Sequence, residues 1–225
     1  MALHRATGEG RSFLLLQGPH GPFFSRLGRM LGAAGARVRR VGFNRGDRAF
    51  WPDGASYIPF RGTAEDWPAA LTALIEAQGI TDLVLYGDTR PLHAEAVAIA
   101  RARGITVHVF EEGYLRPYWV TYERGGSNGH SRLMQLSLAQ MQKALAASDM
   151  DLPDAPAHWG DMRQHMFWGA LYHWFVWAGF WDYRAYRPHR ALTVRQEFLL
   201  YFRRVLLMPF HRWERALETW RIRHG

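Results

Sequence analysis

The feature that most constrains this chain is an alternation, over residues 13–110, of short apolar runs with stretches of helical periodicity. Phe13-Leu-Leu-Leu16 is a compact apolar run that stops at Gln17-Gly18-Pro19, the pattern of a strand entering a turn. Phe23, Phe24, Leu27, Met30 and Leu31 then recur at helical spacing until Gly35. Residues 37–43 alternate as a second strand, Asn44-Arg-Gly-Asp47 reads as a polar loop, and residues 56–60 as a short third strand. Asp66 is expected to cap a helix with Pro68 in its first turn, which carries Leu71, Leu74 and Ile75 on one face and ends at Gly79. Residues 83–86 form a strand, Pro91 opens a helix running to Arg103, and residues 105–110 are a strand again.

Strands separated by helices of this length predict βαβ units, and hence an α/β fold with a Rossmann-like parallel sheet. In open parallel sheets, ligands bind outside the carboxyl ends of the strands. That rule marks four loops, at residues 17–22, 44–47, 87–93 and 111–117, and most of the unusual polar residues lie in them. The expected division is an α/β domain over residues 1–132 and a helical connecting region over 133–225. Residues 111–132 are glycine-rich and polar, too long for a casual connection. A helix is expected at 133–147, a linker with Pro153 and Pro156 at 148–158, and a helical stretch at 191–223, kinked or broken at Pro209. Residues 166–181 are strongly apolar, with four tryptophans and His173. As a helix they reach about 24 Å, short of a hydrocarbon core of about 30 Å, which predicts an interfacial or core helix.

Charge and composition narrow the function. Lys+Arg 28 against Asp+Glu 20 gives a net +8, and residues 183–225 hold ten arginines against Glu197, Glu214 and Glu218. This basic end suits a polyanionic neighbour, or is simply a solvated arginine-rich helix. The absence of cysteine excludes disulfides, thiolate-ligated zinc, iron–sulfur clusters and thiol nucleophiles. The histidines form no His-Glu-x-x-His and no pair four apart beside an acid, so no metal and no other cofactor is expected. The N-terminus lacks the apolar segment of a secretory signal, which predicts a chain in the cytosol or on the cytosolic side of a membrane.

Each loop has its own chemistry. The glycines of Gln17-Gly-Pro-His-Gly-Pro22 either admit a ligand's close approach or make a tight turn. In Gly87-Asp-Thr-Arg-Pro-Leu-His93, Asp88 either caps the following helix or converges with Arg90 and His93 on a ligand. In Glu111-Glu-Gly-Tyr-Leu-Arg-Pro117, two carboxylates end an apolar strand, and alternation sends them to opposite faces. One of them can face a cleft and do acid, base or nucleophilic work, with Arg116 placed to neutralise it or to grip an anion; the alternative is a strand-end ion pair.

Together with Val41-Gly-Phe-Asn-Arg-Gly-Asp47, Thr121-Tyr-Glu-Arg-Gly-Gly-Ser-Asn-Gly-His-Ser131 and Tyr186-Arg-Pro-His-Arg190, these motifs resemble the KpsS-type capsule polysaccharide biosynthesis/export proteins. The Glu-Glu-Gly-Tyr-Leu-Arg-Pro block is the most specific of them. The resemblance implies the Rossmann-like N-terminal half of a two-lobed GT-B glycosyltransferase. Such proteins are similar to retaining β-Kdo transferases, which move Kdo from CMP-Kdo onto a phosphatidylglycerol lipid at the cytoplasmic face of the inner membrane. Carried over by motif, the resemblance gives weight to Gln17, Gly18, Asn44, Asp47, Asp88, Arg90, His93, Glu111, Glu112, Gly113, Arg116 and Asn128. It implies Glu112 as nucleophile with Glu111 second, Arg90 or Arg116 facing the Kdo carboxylate, and His93 handling the acceptor proton.

The chain also departs from the family. Gly42-Phe-Asn-Arg stands where relatives read closer to Asn-Phe-Asn-Gly, and Ser131-Arg-Leu where a Leu-Pro usually follows. No His-Pro-bearing donor half follows residue 190, which predicts weak CMP-Kdo binding and no turnover by this length alone. The basic, tryptophan-rich end is expected to meet an anionic membrane surface, and capsule assembly proteins are possible partners. The alternative reading is a non-catalytic membrane-associated export component. Nucleic acid is not an expected partner, because Trp and acidic residues are scattered through 159–225 without a motif.

Overall fold

The computed structural model describes residues 7–113, 119–147, 162–187 and 194–224. Arg116, His189, Arg190 and the linker expected at 148–158 lie outside the described residues. The chain divides into two compact units, residues 1–186 and 187–225.

The first unit is built on a six-stranded sheet, β1 (Ser12–Leu15), β2 (Arg37–Gly42), β3 (Tyr57–Pro59), β4 (Asp82–Tyr86), β5 (Thr106–Glu112) and β6 (Val120–Arg124). The strand order is β3-β2-β1-β4-β5-β6. All neighbours are parallel except β6, which runs antiparallel to β5. The helices are α1 (Phe23–Ala33), α2 (Arg45–Ala49), α3 (Trp67–Gln78), α4 (Pro91–Ala102), α5 (Leu138–Ala146) and α6 (Met162–Ala178), with a 3-10 turn at Phe180–Tyr183. This is the expected Rossmann-like α/β architecture followed by helices.

Sequence periodicity accounts for the layers. Leu14 and Leu16 join Leu71 and Ile75 of α3 and Val97 of α4 on one face of the sheet. Phe13 and Leu15 turn to the other face, against Phe24 and Trp51. A strand covered on both faces has no polar side to show, which is why residues 13–16 are uninterrupted apolar. Trp67 locks α3 to α4, fully buried with its indole N–H donating to the Leu92 carbonyl at 2.9 Å. Gly79 ends α3 at φ +55, a left-handed stop that glycine adopts without a Cβ clash. Asp66 does not cap α3; its carboxylate accepts from the Thr63 N–H and hydroxyl instead.

Two elements differ from the sequence reading. The polar stretch at 44–47 starts the short helix α2, with the Asn44 side chain accepting from the Asp47 N–H at 2.9 Å. The glycine-rich segment contains β6, whose pairing Glu111↔Thr121 and Glu112↔Val120 carries β5 two residues past Phe110. The apolar stretch is helical as expected, and α6 packs on α2 within the first unit. No helix among the described residues is long and apolar enough to cross a membrane. The second unit is described by α7 (Val194–His224), a helix with Pro209 inside it and exposed Phe202, Trp213 and Trp220.

A polar cluster ties the amino ends of the strands. His108 meets Asp82 through Nε2 at 2.8 Å and Tyr122 through Nδ1 at 2.7 Å. Because a carboxylate only accepts, Nε2 donates to Asp82 and Nδ1 accepts from the Tyr122 hydroxyl, which satisfies a neutral imidazole at both nitrogens. Burial lowers the His108 pKa, and Asp82 offsets that only in part. For Asp82, burial acts upward, but hydrogen bonds from Arg11, His108 and Thr81 outweigh it and the net shift is downward. Both groups therefore bind protons more readily when unfolded, so stability falls on acidification, His108 acting first as pH drops below about 6.5. Urea unfolding of the wild type is expected to lose stability between about pH 7 and 5. The His108→Gln variant is expected to show a shallower slope there, and an unchanged slope contradicts the assignment.

Candidate active site

The sheet reverses its winding between β1 and β4, and the turns leaving these two strands meet there. Gln17 follows β1, and Arg90 precedes α4. Arg90 Nη1 donates to Gln17 Oε1 at 2.9 Å, and Gln17 Nε2 donates to Tyr172 Oη at 2.8 Å and to Asp47 at 3.4 Å. A guanidinium only donates and a carboxylate only accepts, so the amide of Gln17 has a single satisfactory orientation.

Asp47 is the centre of this group, with no exposed surface. One carboxylate oxygen accepts from the Phe43 N–H at 3.0 Å, and the other from Arg40 Nη2 at 3.3 Å and from the Tyr172 hydroxyl at 3.3 Å. Arg40 is 2% exposed and its guanidinium lies over the rings of Phe24 and Trp51. Burial pushes the Asp47 pKa up, and Arg40 followed by the Phe43 N–H works in the opposite direction.

Tyr172 comes from α6, far away in sequence. Its hydroxyl accepts from Asn44 Nδ2 at 2.7 Å as well as from Gln17, and gives its own proton to Asp47. Burial, and then the neighbouring Asp47, push its pKa well above the ordinary tyrosine value, so the phenol keeps its proton. Gly46 makes room for the ring, since a Cβ there would stand 2.7 Å from Tyr172 Cδ2. Gly18 likewise packs under Phe24, with a Cβ falling 2.6 Å from that ring. The space left by Gly18 is thus occupied by the protein's own side chain.

A second cluster lies at the ends of β4 and β5. Glu111 Oε1 accepts from Ser127 Oγ at 2.7 Å, and Oε2 accepts from Asn128 Nδ2. Asn128 holds φ +49, a left-handed conformation that asparagine tolerates better than most residues. Asp88 is buried and does not cap α4; its Oδ2 accepts from the Ser127 N–H at 3.0 Å and from His130 Nδ1 at 3.1 Å. Asp88 Oδ1 has no hydrogen-bond partner among the described residues. Strand alternation puts Glu111 on the face of Val107 and Val109, and Glu112 on the opposite one, where it is exposed. His93 is buried in the first turn of α4, its Nδ1 donating to the Gly87 carbonyl at 2.7 Å. The Gly113 N–H closes on the Trp119 carbonyl at 2.9 Å.

The residues expected from sequence therefore gather in two groups along one sheet edge. Gln17, Asn44, Asp47 and Arg90 form the first; Asp88, Glu111 and Asn128 form the second. Arg116 lies outside the described residues. Sequence reasoning missed Arg40, Tyr172, Ser127 and His130. Ser127 and His130 sit beside Asn128 in the Thr121-to-Ser131 motif, which was the signal available for them. Tyr172 gave none beyond being a hydroxyl in a run of tryptophan and phenylalanine.

A doubly wound sheet with a polar cluster on its carboxyl ends defines a Rossmann-like α/β protein. The chain belongs to the family described as capsule polysaccharide biosynthesis protein, which matches residues 81–214. It is 42% identical over 125 residues to the capsule polysaccharide export protein KpsS of Escherichia coli, covering 56% of this chain and 32% of that protein. It is 39% identical over 162 residues to the capsule polysaccharide modification protein LipB of Neisseria meningitidis serogroup A, covering 70% and 38%. The serogroup B LipB matches equally. The chain spans about a third of the length of these curated relatives.

The Tyr172→Phe variant takes one hydrogen-bond partner each from the buried amides of Gln17 and Asn44 and from one Asp47 carboxylate oxygen. It is expected to lose about 1–3 kcal/mol in denaturant unfolding. A change below about 0.5 kcal/mol, the level of a neutral surface substitution, contradicts this role of the Tyr172 hydroxyl.

Proposed function

We propose that this chain supplies the Rossmann-like, acceptor-side half of a sugar transferase that starts capsule glycan synthesis. The reaction is transfer of β-Kdo from CMP-Kdo to a phosphatidylglycerol lipid, at the cytoplasmic face of the inner membrane. The observation that carries this reading is the Glu111–Asp88 cluster, two carboxylates positioned by Ser127, Asn128 and His130 at the sheet edge where ligands bind. Membership of the capsule family supports it.

In a retaining double displacement, a carboxylate oxygen attacks the anomeric carbon and the bond to the CMP phosphate breaks, CMP leaving with the electron pair. The acceptor hydroxyl then attacks the same carbon, frees the carboxylate and gives its proton to a base. The family resemblance puts Glu112 first as nucleophile. The hydrogen bonds on both oxygens of Glu111 favour that residue as the carboxylate held ready in place. Arg90, at the winding reversal, has the charge to face the Kdo carboxylate. His93 or the His130–Asp88 pair would take the proton.

A second reading has an observation of its own. Exposed Trp174, Trp177, Phe180 and Trp181 give α6 and the turn after it the character of a membrane-interface surface. A non-catalytic, membrane-associated export component would need that surface and no carboxylate.

Kdo-lipid measured by mass spectrometry, in a capsule-producing host in which this gene replaces the N-terminal half of the host's own copy, separates the two. The sugar-transfer reading expects Kdo-lipid with the wild-type gene and a fall of at least about 100-fold with Glu111→Gln or Glu112→Gln. Full synthesis with both variants, or none with the wild type, contradicts it. Normal Kdo-lipid without the gene, combined with failed export, favours the second reading.

A further inference from the structure

At the other end of the same sheet edge, where β2 and β3 finish, lies a cleft of about 450 Å3. Three arginines line it, Arg45 and Arg48 from α2 and Arg61 from just after β3, with Asp182 as the carboxylate. The helix α2 serves two sites: Gly46 and Asp47 are buried toward the network described above, while Arg45 and Arg48 line this cleft.

The arginines are held in place by the protein. Arg48 donates to the Trp51 carbonyl and lies 5.3 Å from the centre of the Tyr57 ring. Arg61 donates through Nε to the Asp182 carbonyl at 3.1 Å and lies 5.6 Å from the centre of the Tyr183 ring. Arg45 pairs with the Asp182 carboxylate. Among the described residues neither Arg48 nor Arg61 is paired with a carboxylate. The cleft therefore carries three guanidiniums against one acid, an excess of positive charge that suits the anionic group of a phosphate ester. Stacking on an aromatic face restrains a guanidinium before any ligand arrives, so less freedom is lost on binding. Phe175, Tyr57 and Tyr183 add apolar wall to the same space. The volume lies within the range of about 300–1,000 Å3 usual for small-ligand sites.

We propose that this cleft is a phosphate-ester site, separate from the Glu111–Asp88 cluster. Arg48 and Arg61 grip the phosphate oxygens, and the aromatic rings cover the adjoining carbon skeleton. Asp182 is a built-in competitor: the ligand draws Arg45 away from it. The proposal depends on the charge and shape of this cleft and not on the sugar-transfer reading. The shared chemistry is a phosphate ester, available either as a soluble ester or as a phospholipid headgroup in a bilayer.

Two measurements on the full chain test the proposal and separate these sources: calorimetric titration with glycerol phosphate, and co-sedimentation with phosphatidylcholine vesicles with and without phosphatidylglycerol. The double variant Arg48→Gln/Arg61→Gln is expected to weaken binding at least about tenfold. The Asp182→Asn variant is expected to tighten it about two- to fivefold by releasing Arg45. The exposed helical variant Arg29→Gln is expected to bind as the wild type does. Binding of glycerol phosphate with this pattern supports a soluble ester; the same pattern on anionic vesicles alone supports a headgroup. Wild-type binding to neither probe overturns the proposal. So does an equal loss in Arg29→Gln, or wild-type binding by the double variant, in a protein whose melting temperature shows it folded.

Discussion

The structure around the candidate site depends on the burial of one carboxylate, Asp47. A carboxyl group with no exposed surface must find its hydrogen bonds inside the protein, because leaving it unpaired costs several kcal/mol. Its partners come from four places in the chain: Arg40 on β2, the backbone of Phe43, Gln17 after β1, and Tyr172 on α6. Satisfying this single group fixes the end of β2, the turn after β1 and the docking of a helix more than a hundred residues away. Gln17 then carries the order onward, since its amide oxygen receives Arg90 at the point where the sheet reverses. The polar network at the winding reversal is thereby held in one fixed arrangement.

Along the same edge the chemistry changes sign. The β4–β5 end presents Asp88 and Glu111, while the β2–β3 end presents Arg45, Arg48 and Arg61. Neighbouring strands stand about 4.8 Å apart, so β2 and β5, three spacings apart in the strand order, put these ends about 14 Å from each other. Short strand ends and the loops after them carry nearly all of this, and an apolar cluster packs on each face of the sheet beneath. The separation of tasks is a general property of open parallel sheets: the strands supply rigidity, and the carboxyl-end loops supply function.

Most of the sheet was legible from residue order. β1 and β4 could be read because burial on both faces demands apolar residues at nearly every position, and β2 and β5 because apolar residues alternate with polar ones; Gly35 and Gly79 marked helix ends by their backbone freedom. β6 was not legible. It is an edge strand, Val-Thr-Tyr-Glu-Arg, and its alternation of exposed and half-buried residues offers no apolar run to detect. The helix α2 has five residues, too few for a period, and depends on the Asn44 cap and on Asp47. The opposite faces of Glu111 and Glu112 followed from strand geometry alone. The partner of Asp88 did not: spacing suggested its own helix or its neighbours Arg90 and His93, whereas the structure gives it Ser127 and His130, reached only by β6 folding back on β5. Tyr172 was hidden for a related reason, because one hydroxyl in an aromatic helix does not announce a contact so distant in sequence.

The central claim is that Asp47 organises three segments at once, and amide hydrogen exchange on the Asp47→Asn variant tests it directly. The account predicts a joint loss of protection in residues 17–22, in residues 43–50 and in α6 around Tyr172, with β4 and β5 as protected as in the wild type. Loss confined to residues 43–50, or spread evenly over the sheet, would contradict it.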